Sequence, residues 1–189
     1  MSTSTPEAPA APNASEANSV LVYGGGFAYR APKGTALPTS ATGTLDPAFV
    51  DTGEIGSDGY TVQPKATSKT IKNAAGKTVR TLFTDASIDV GLPLIETTAI
   101  TRQVWWGTPP DEDGKLSIDP TVADEGAWVF DFIDTVRKVR KRLVLPDASV
   151  TDRDEQKNGG DDELPWGVTL SGTRDADGFA GYEYVESYA

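Results

Sequence analysis

The 189-residue chain contains no cysteine, no histidine and a single methionine. Without cysteine there is no disulfide, no thiolate metal site and no cysteine nucleophile. Without histidine the usual general base near neutral pH is gone, and with it the commonest metal ligand. Most hydrolase and oxidoreductase mechanisms thereby lose their central residue, so the composition speaks against an enzyme, and no catalytic residue, metal or cofactor is expected. Cations are also scarce: 17 Lys and Arg face 28 Asp and Glu, giving a formal charge of −11 and a pI near 4.4. Such a chain is a poor candidate for wrapping nucleic acid, because phosphate affinity comes from Lys and Arg displacing counterions. There is no uninterrupted apolar run of the roughly eighteen residues a helix needs to cross a bilayer, so no membrane span is expected. The N-terminus lacks a basic segment followed by an apolar core, so no secretory signal is expected either.

What remains points to one domain with appendages, since domains of roughly 100–150 residues are commonest. Residues 1–18 (MSTSTPEAPAAPNASEAN) hold no aromatic or β-branched apolar side chain and read as a flexible arm. Residues 19–189 read as a single β domain organised around residues 70–107. There Thr78-Val79-Arg80-Thr81-Leu82-Phe83-Thr84 mixes β-branched and aromatic types, and Ser87-Ile88-Asp89-Val90 alternates with period two. The preceding strand turns at Ala75-Gly76-Lys77. After Glu96 the period changes: Thr97 or Thr98 can cap a helix, Ile100 and Val104 recur at helical spacing, and Gly107 with Pro109-Pro110 stops it. The expected fold class is all-β, a sandwich or flattened barrel of two sheets, flanked by one short α-helix from about Thr97 to Trp106.

Elsewhere, Val20-Leu21-Val22-Tyr23 and Phe27-Ala28-Tyr29-Arg30 read as short strands around a Gly24-Gly25-Gly26 bend. No Lys-Ser/Thr pair at a helix start follows, so the glycines do not read as a phosphate loop. In residues 127–134 Trp128, Phe130 and Phe132 share one strand face, expected to be core, and Asp131 lies on the other. The Asp111-Glu112-Asp113-Gly114 loop lacks the spacing and distal glutamate of a calcium loop. Arg137-Lys138-Val139-Arg140-Lys141-Arg142 is the sharpest charge feature. Read as a strand, it puts Lys138, Arg140 and Arg142 on one side and Arg137 and Lys141 on the other. No aromatic residue interleaves with it as single-strand stacking wants, so contact with acids of a neighbouring subunit is favoured over DNA. Residues 31–51 and 151–163 read as long loops. Asp175-Ala176-Asp177-Gly178 reads as a tight turn after which residues 179–188 pair back on the strand at Trp166.

Several segments, in order, resemble the major tail tube proteins of long-tailed, siphovirus-like actinobacterial phages. Gly26-Phe27-Ala28-Tyr29-Arg30-Ala31-Pro32-Lys33-Gly34-Thr35-Ala36-Leu37-Pro38 is followed by Phe49-Val50-Asp51-Thr52-Gly53-Glu54-Ile55-Gly56-Ser57-Asp58-Gly59. The likeness continues at Leu94-Ile95-Glu96-Thr97-Thr98, through residues 142–150 (RLVLPDASV), and at Leu164-Pro165-Trp166-Gly167-Val168-Thr169-Leu170. The chain departs from the family pattern in one extra small residue at Ile55-Gly56-Ser57, and the likeness does not rely on the first eighteen residues.

The resemblance implies a structural virion protein whose hexameric rings stack into a hollow tube, with sheets of neighbouring subunits joined into one inner barrel. Such a tube conducts double-stranded DNA to the host during genome ejection without binding it specifically. It assembles in the host cytoplasm with tape measure, tail terminator and tail tip proteins. On that reading Asp85, Asp89 and Asp131 are candidate lumen-facing acids; repulsion of phosphates over a Debye length of about 8 Å would leave a broad channel passable. Arg137, Lys138, Arg140, Lys141, Arg142 and Trp106 are candidate inter-subunit contacts. Loops 31–51 and 151–163, then the arm, are the candidates for crossing to the next ring. The competing reading is a virion-surface or host-attachment β domain that binds a cell-surface ligand through Trp105, Trp106 and residues 111–114. An acid-dyad enzyme lacks paired carboxylates at a workable spacing.

Overall fold

The computed structural model describes residues 20–157 and 164–188. The expected arm over residues 1–18 and the end of the 151–163 loop lie outside the described residues. In chain order the described elements are β1 (Gly26–Ala31), β2 (Val50–Asp51), β3 (Thr61–Lys72), β4 (Thr78–Leu94), α1 (Ala99–Trp106), β5 (Glu125–Asp134), β6 (Val139–Arg153), β7 (Trp166–Gly172) and β8 (Tyr182–Ser187). Every strand pairing is antiparallel. The expected all-β class with one short helix is what the chain adopts, and the two layers are halves of one continuous sheet. Its order is β2-β1-β5-β6-β7-β4-β3, with β8 beside β6.

The fifteen-residue β6 makes the fold. Its first half, from Val139 to Val144, lies between β5 and β8, whereas its second half, from Ala148 to Arg153, pairs with β7. The corner falls at Pro146, which has no N–H for a ladder. There the register against β5 slips between Gly126 and Trp128, and the inward-facing positions change from Leu143 and Leu145 to Ala148 and Val150. A bulge at such a corner bends a strand from one layer into the next.

Between the layers sits the main core, with Val90, Leu92 and Leu94 of β4 facing Trp128 and Phe130 of β5 and Val168 and Leu170 of β7. α1 covers part of this core with Val104 and Trp105. The Trp105 ring meets Trp166 edge-on at 5.8 Å, a geometry that matches the aromatic quadrupoles. The helix forms where the sequence signals it. Thr98 accepts the N–H of Thr101 at 3.1 Å, and Gly107 leaves in the left-handed region at φ 79°. A Cβ at Gly107 would lie 2.6 Å from the Val122 carbonyl, so glycine is required twice over.

A second core lies on the other face of β5, where Ala127, Val129 and Val144 pack with Phe49, Leu37, Leu45 and Tyr182. Loop 32–49 folds back over the sheet and covers that face. β5 is thus buried on both sides, not on its aromatic face alone.

Three local expectations differ from the structure. Residues 20–23 form no ladder; Val22 instead donates its N–H to the Asp134 carboxylate at 3.0 Å. Arg137 and Lys138 belong to the β5–β6 turn, with Lys138 at φ 53°. The last strand pairs with β6 rather than β7, because β7 already has β4 and the second half of β6 as neighbours. The Asp175 turn does form, its carboxylate accepting the N–H groups of Asp177 and Phe179.

Asp134 fastens the start of the described chain to the β5–β6 turn. Its carboxylate accepts from Val22, from Arg137 at 2.9 Å and from Val136 at 3.0 Å. These backbone donors, Val22 first, hold its pKa below the ordinary carboxylate value of 3.8. A lowered folded-state pKa adds stability above the unfolded value, and that stability is lost as pH falls through the folded one. Asp134→Asn should therefore reduce stability at neutral pH and flatten the pH dependence below about pH 4. Urea unfolding across pH checks this; parallel curves for the two proteins would contradict it.

Candidate functional site and assembly surfaces

The sheet alternates by row. In β3, β4, β7 and β6, Val62, Val90, Leu170 and Val150 stand opposite one another, and the last three are core residues. The adjacent row on one side is Gln63, Asp89, Ser171 and Ser149, and on the other side Thr61, Gly91, Thr169 and Asp152. Period-two alternation therefore gives this four-stranded layer one apolar face toward the core and one polar face away from it. At its edge β3 has β4 on one side and no ladder partner on the other among the described residues. All twelve β3 residues are exposed.

Asp85 and Asp89 share the polar face, four residues apart with Ser87 midway between them, each opposite a β3 residue in unbroken register. Asp85 is exposed. Asp89 is largely covered and meets Lys65 at 2.5 Å, with Ser171 donating to it at 2.8 Å. Burial works against its ionisation, but the Lys65 and Ser171 contacts outweigh it and hold the carboxyl below its ordinary value. The negative charge of Asp89 is thus answered locally by a lysine.

Asp131 is not on this face. It lies in β5 under loop 32–49, 2% exposed. Arg142, also 2% exposed, donates to its two oxygens from Nε at 2.7 Å and Nη2 at 2.9 Å. The same guanidinium reaches the Ser40 carbonyl at 3.2 Å and the Gly43 carbonyl at 2.8 Å. Asp131, expected to face a lumen, and Arg142, expected at a subunit contact, are both buried within their own chain, because the second face of β5 is covered. Loop 32–49 is held by its own chain, further tied where Thr42 donates to Glu186 at 2.7 and 3.0 Å.

The rest of the basic run is divided. Lys141 pairs with Glu183 at 2.7 Å. Arg140 stands 4.0 Å from Asp131, its guanidinium 6.0 Å from the Tyr188 ring centroid. Arg137 donates to the Val20 carbonyl at 3.1 Å, and Lys138 is exposed in the turn beside Val136, itself 88% exposed. Trp106 is half-buried against the main core and edge-on to Trp105 at 6.4 Å. Trp105 is 6% exposed and offers no ligand surface. The Asp111 loop closes on itself: its carboxylate accepts the N–H groups of Asp113 and Lys115.

Two features escaped the sequence reading. Asp124 is buried and chelated by Arg30 at 3.2 and 2.9 Å, with Gln103 of α1 at 3.4 Å. Burial raises its pKa, opposed by Arg30. The other is the length of the β3–β4 hairpin. β7 pairs with β4 only from Ile88 onward, so residues 66–86 leave the sheet as a two-stranded ribbon roughly 30 Å long at about 3.3 Å per residue. The run of β-branched and small polar residues from Thr61, free of a buried apolar face, was its signal.

Arg142→Met should destabilise the protein by about 3–5 kcal/mol, since it leaves Asp131 as an uncompensated buried charge. The double variant Asp131→Leu/Arg142→Met should recover part of that loss. A double-mutant cycle by chemical unfolding checks this; additive losses would contradict it.

Among the described residues no helix is long and apolar enough to cross a membrane, and no cluster of three or more metal-ligating acids occurs. No curated protein sequence matches the chain. The family model described as phage tail tube protein matches residues 13–186. That match runs through every strand and the helix, and so through the polar layer, its open β3 edge and the projecting ribbon. The chain belongs to the phage tail tube protein family, structural components of a virion tail that assemble with copies of themselves into a tube.

Proposed function

We propose that the chain is the major tail tube subunit of a long-tailed, siphovirus-like actinobacterial phage, forming hexameric rings that stack into a conduit for double-stranded DNA. The observation that carries this reading is the β3–β4–β7–β6 layer, apolar on one face, lined with hydroxyls, carboxylates and other polar groups on the other, and open along β3. A long unpaired edge is a template for another strand, and closing a ring removes it. Six such layers joined edge to edge make a barrel whose core faces point outward into the subunits and whose polar faces line the bore.

A bore of this chemistry suits transit without retention. Ser87, Ser171, Ser149 and Thr169 present hydroxyls, Asp85 adds negative charge, and Lys65 is occupied by Asp89. Among the described residues no unpaired row of cations lines that face, and the chain as a whole is at −11. Arg137, Lys138 and Trp106 remain candidate subunit contacts, at the β5–β6 turn and the end of α1. Assembly would take place in the host cytoplasm on a tape measure protein, with terminator and tip proteins at the two ends. The attachment reading gains nothing from a buried Trp105.

Purified full-length protein should form rings or tubes by negative-stain microscopy as concentration rises, and the tubes should retain no added duplex DNA at physiological salt. A species that stays monomeric under all conditions would overturn the reading. Trp106→Ala should raise the concentration needed for assembly more than it lowers monomer stability. Equal losses in scattering and unfolding assays would return Trp106 to the core.

A further inference from the structure

The ribbon of residues 66–86 differs in charge from the rest of the chain. It carries Lys69, Lys72, Lys77 and Arg80 against one acid, Asp85, a balance of +3, which leaves −14 for the remaining residues. Among the described residues none of these four cations has an ion-pair partner. All four are exposed, and beside them Val79 and Phe83 are 66% and 71% exposed. A lone two-stranded ribbon is marginally stable in water, so this one needs a cover of opposite charge with some apolar surface.

A surface of that description lies at the other end of the same strand. β4 runs on from the ribbon to Leu94, and Glu96 follows in the connection to α1. Glu96 stands with Asp51 and Glu54 around a cleft of about 310 Å³ walled by Phe27 and Ile100. The three carboxylates are exposed and have no ion-pair partner among the described residues. From Thr78 to Leu94 the strand spans roughly 50 Å, too far for the ribbon to reach the cleft of its own chain. We infer that the ribbon of one copy seats its cations against the Asp51, Glu54 and Glu96 cleft of the next copy along the tube.

The assignment rests on the tube reading above and adds which surfaces meet. Donor and acceptor sit at opposite ends of one strand, so the contact is head-to-tail. Such a contact repeats along a stack and does not close on itself as a two-fold dimer would. Lysine stems can lie along Phe27 and Ile100 while their ammonium groups reach the carboxylates. Loop 32–49, pinned by Arg142, is not free to play this part. Exposed pairs contribute little each, so the contact sets direction and register, and it weakens as salt is raised.

Charge reversal tests it in the full-length protein. One variant carries Lys69→Glu, Lys72→Glu, Lys77→Glu and Arg80→Glu; another carries Asp51→Lys, Glu54→Lys and Glu96→Lys; a third combines both sets. Each single set should raise the critical concentration for tube formation by about tenfold or more, from several exposed pairs acting together. The combined chain should return toward the wild-type value, and salt should weaken both. Circular dichroism and urea unfolding confirm folding; if a reversed set misfolds, neutral Gln and Asn replacements with a salt series give the same readout. A combined chain that assembles no better than the single sets, while wild type forms tubes, overturns the inference and leaves the tube reading standing. Capture of a duplex oligonucleotide by the wild-type ribbon, lost on reversal, would overturn it in favour of a nucleic-acid role. Wild-type protein that forms neither rings nor tubes is the separate failure of the tube reading.

Discussion

The ion pair between Asp131 and Arg142 is the constraint from which the rest of the surface follows. Taking two charges out of water costs several kcal/mol per ion unless geometry and additional hydrogen bonds offset it. Here both carboxylate oxygens are met by the guanidinium fork, and the remaining donor capacity of Arg142 goes to the Ser40 and Gly43 carbonyls. The pair therefore does more than satisfy β5 and β6. It fixes loop 32–49 over the sheet, and that closes the second core around Val129, Val144 and Phe49. A loop that sequence alone leaves free for a neighbour is committed to its own chain.

With one side of the molecule closed in this way, the open surfaces fall on the other. The β3–β4–β7–β6 layer keeps a polar face and an unpaired edge, and its hairpin runs on beyond the last strand that supports it. The physical tension is plain: twelve exposed edge residues and a basic ribbon with exposed Phe83 and Val79 are liabilities in a monomer. They make sense in a member of a family that assembles with itself. On the inferred head-to-tail contact the charge pattern would add direction, like ends of two copies repelling and opposite ends attracting, although the chain is at −11 overall.

How much was legible in the sequence varied with the range of the interaction. The cap at Thr98, the stop at Gly107 and the turn before Lys77 are set within a few residues and could be read. So could the inward faces of β4 and β7, where Val90, Leu92, Val168 and Leu170 alternate with polar neighbours. What could not be read depends on partners far along the chain. Burial of Asp131 needs Arg142 and a loop nearly a hundred residues away, and a period-two pattern only says that it faces away from Trp128. The choice of β6 over β7 for the last strand depends on β6 being long enough to serve two layers. The basic run was sharp as sequence but dispersed as structure, its members answered by Asp131, Glu183 and the Val20 carbonyl. The four hairpin cations, none ion-paired among the described residues, are spaced too widely in sequence to form a visible cluster.

The most direct measurement is a reconstruction of assembled tubes at a resolution that traces strands. The account predicts that the outer edge of β3 gains a backbone ladder from the neighbouring subunit, with Ser87, Ser171 and Ser149 facing the bore. A tube in which the β3 edge stays in solvent, or in which the polar face of that layer turns away from the bore, would contradict it.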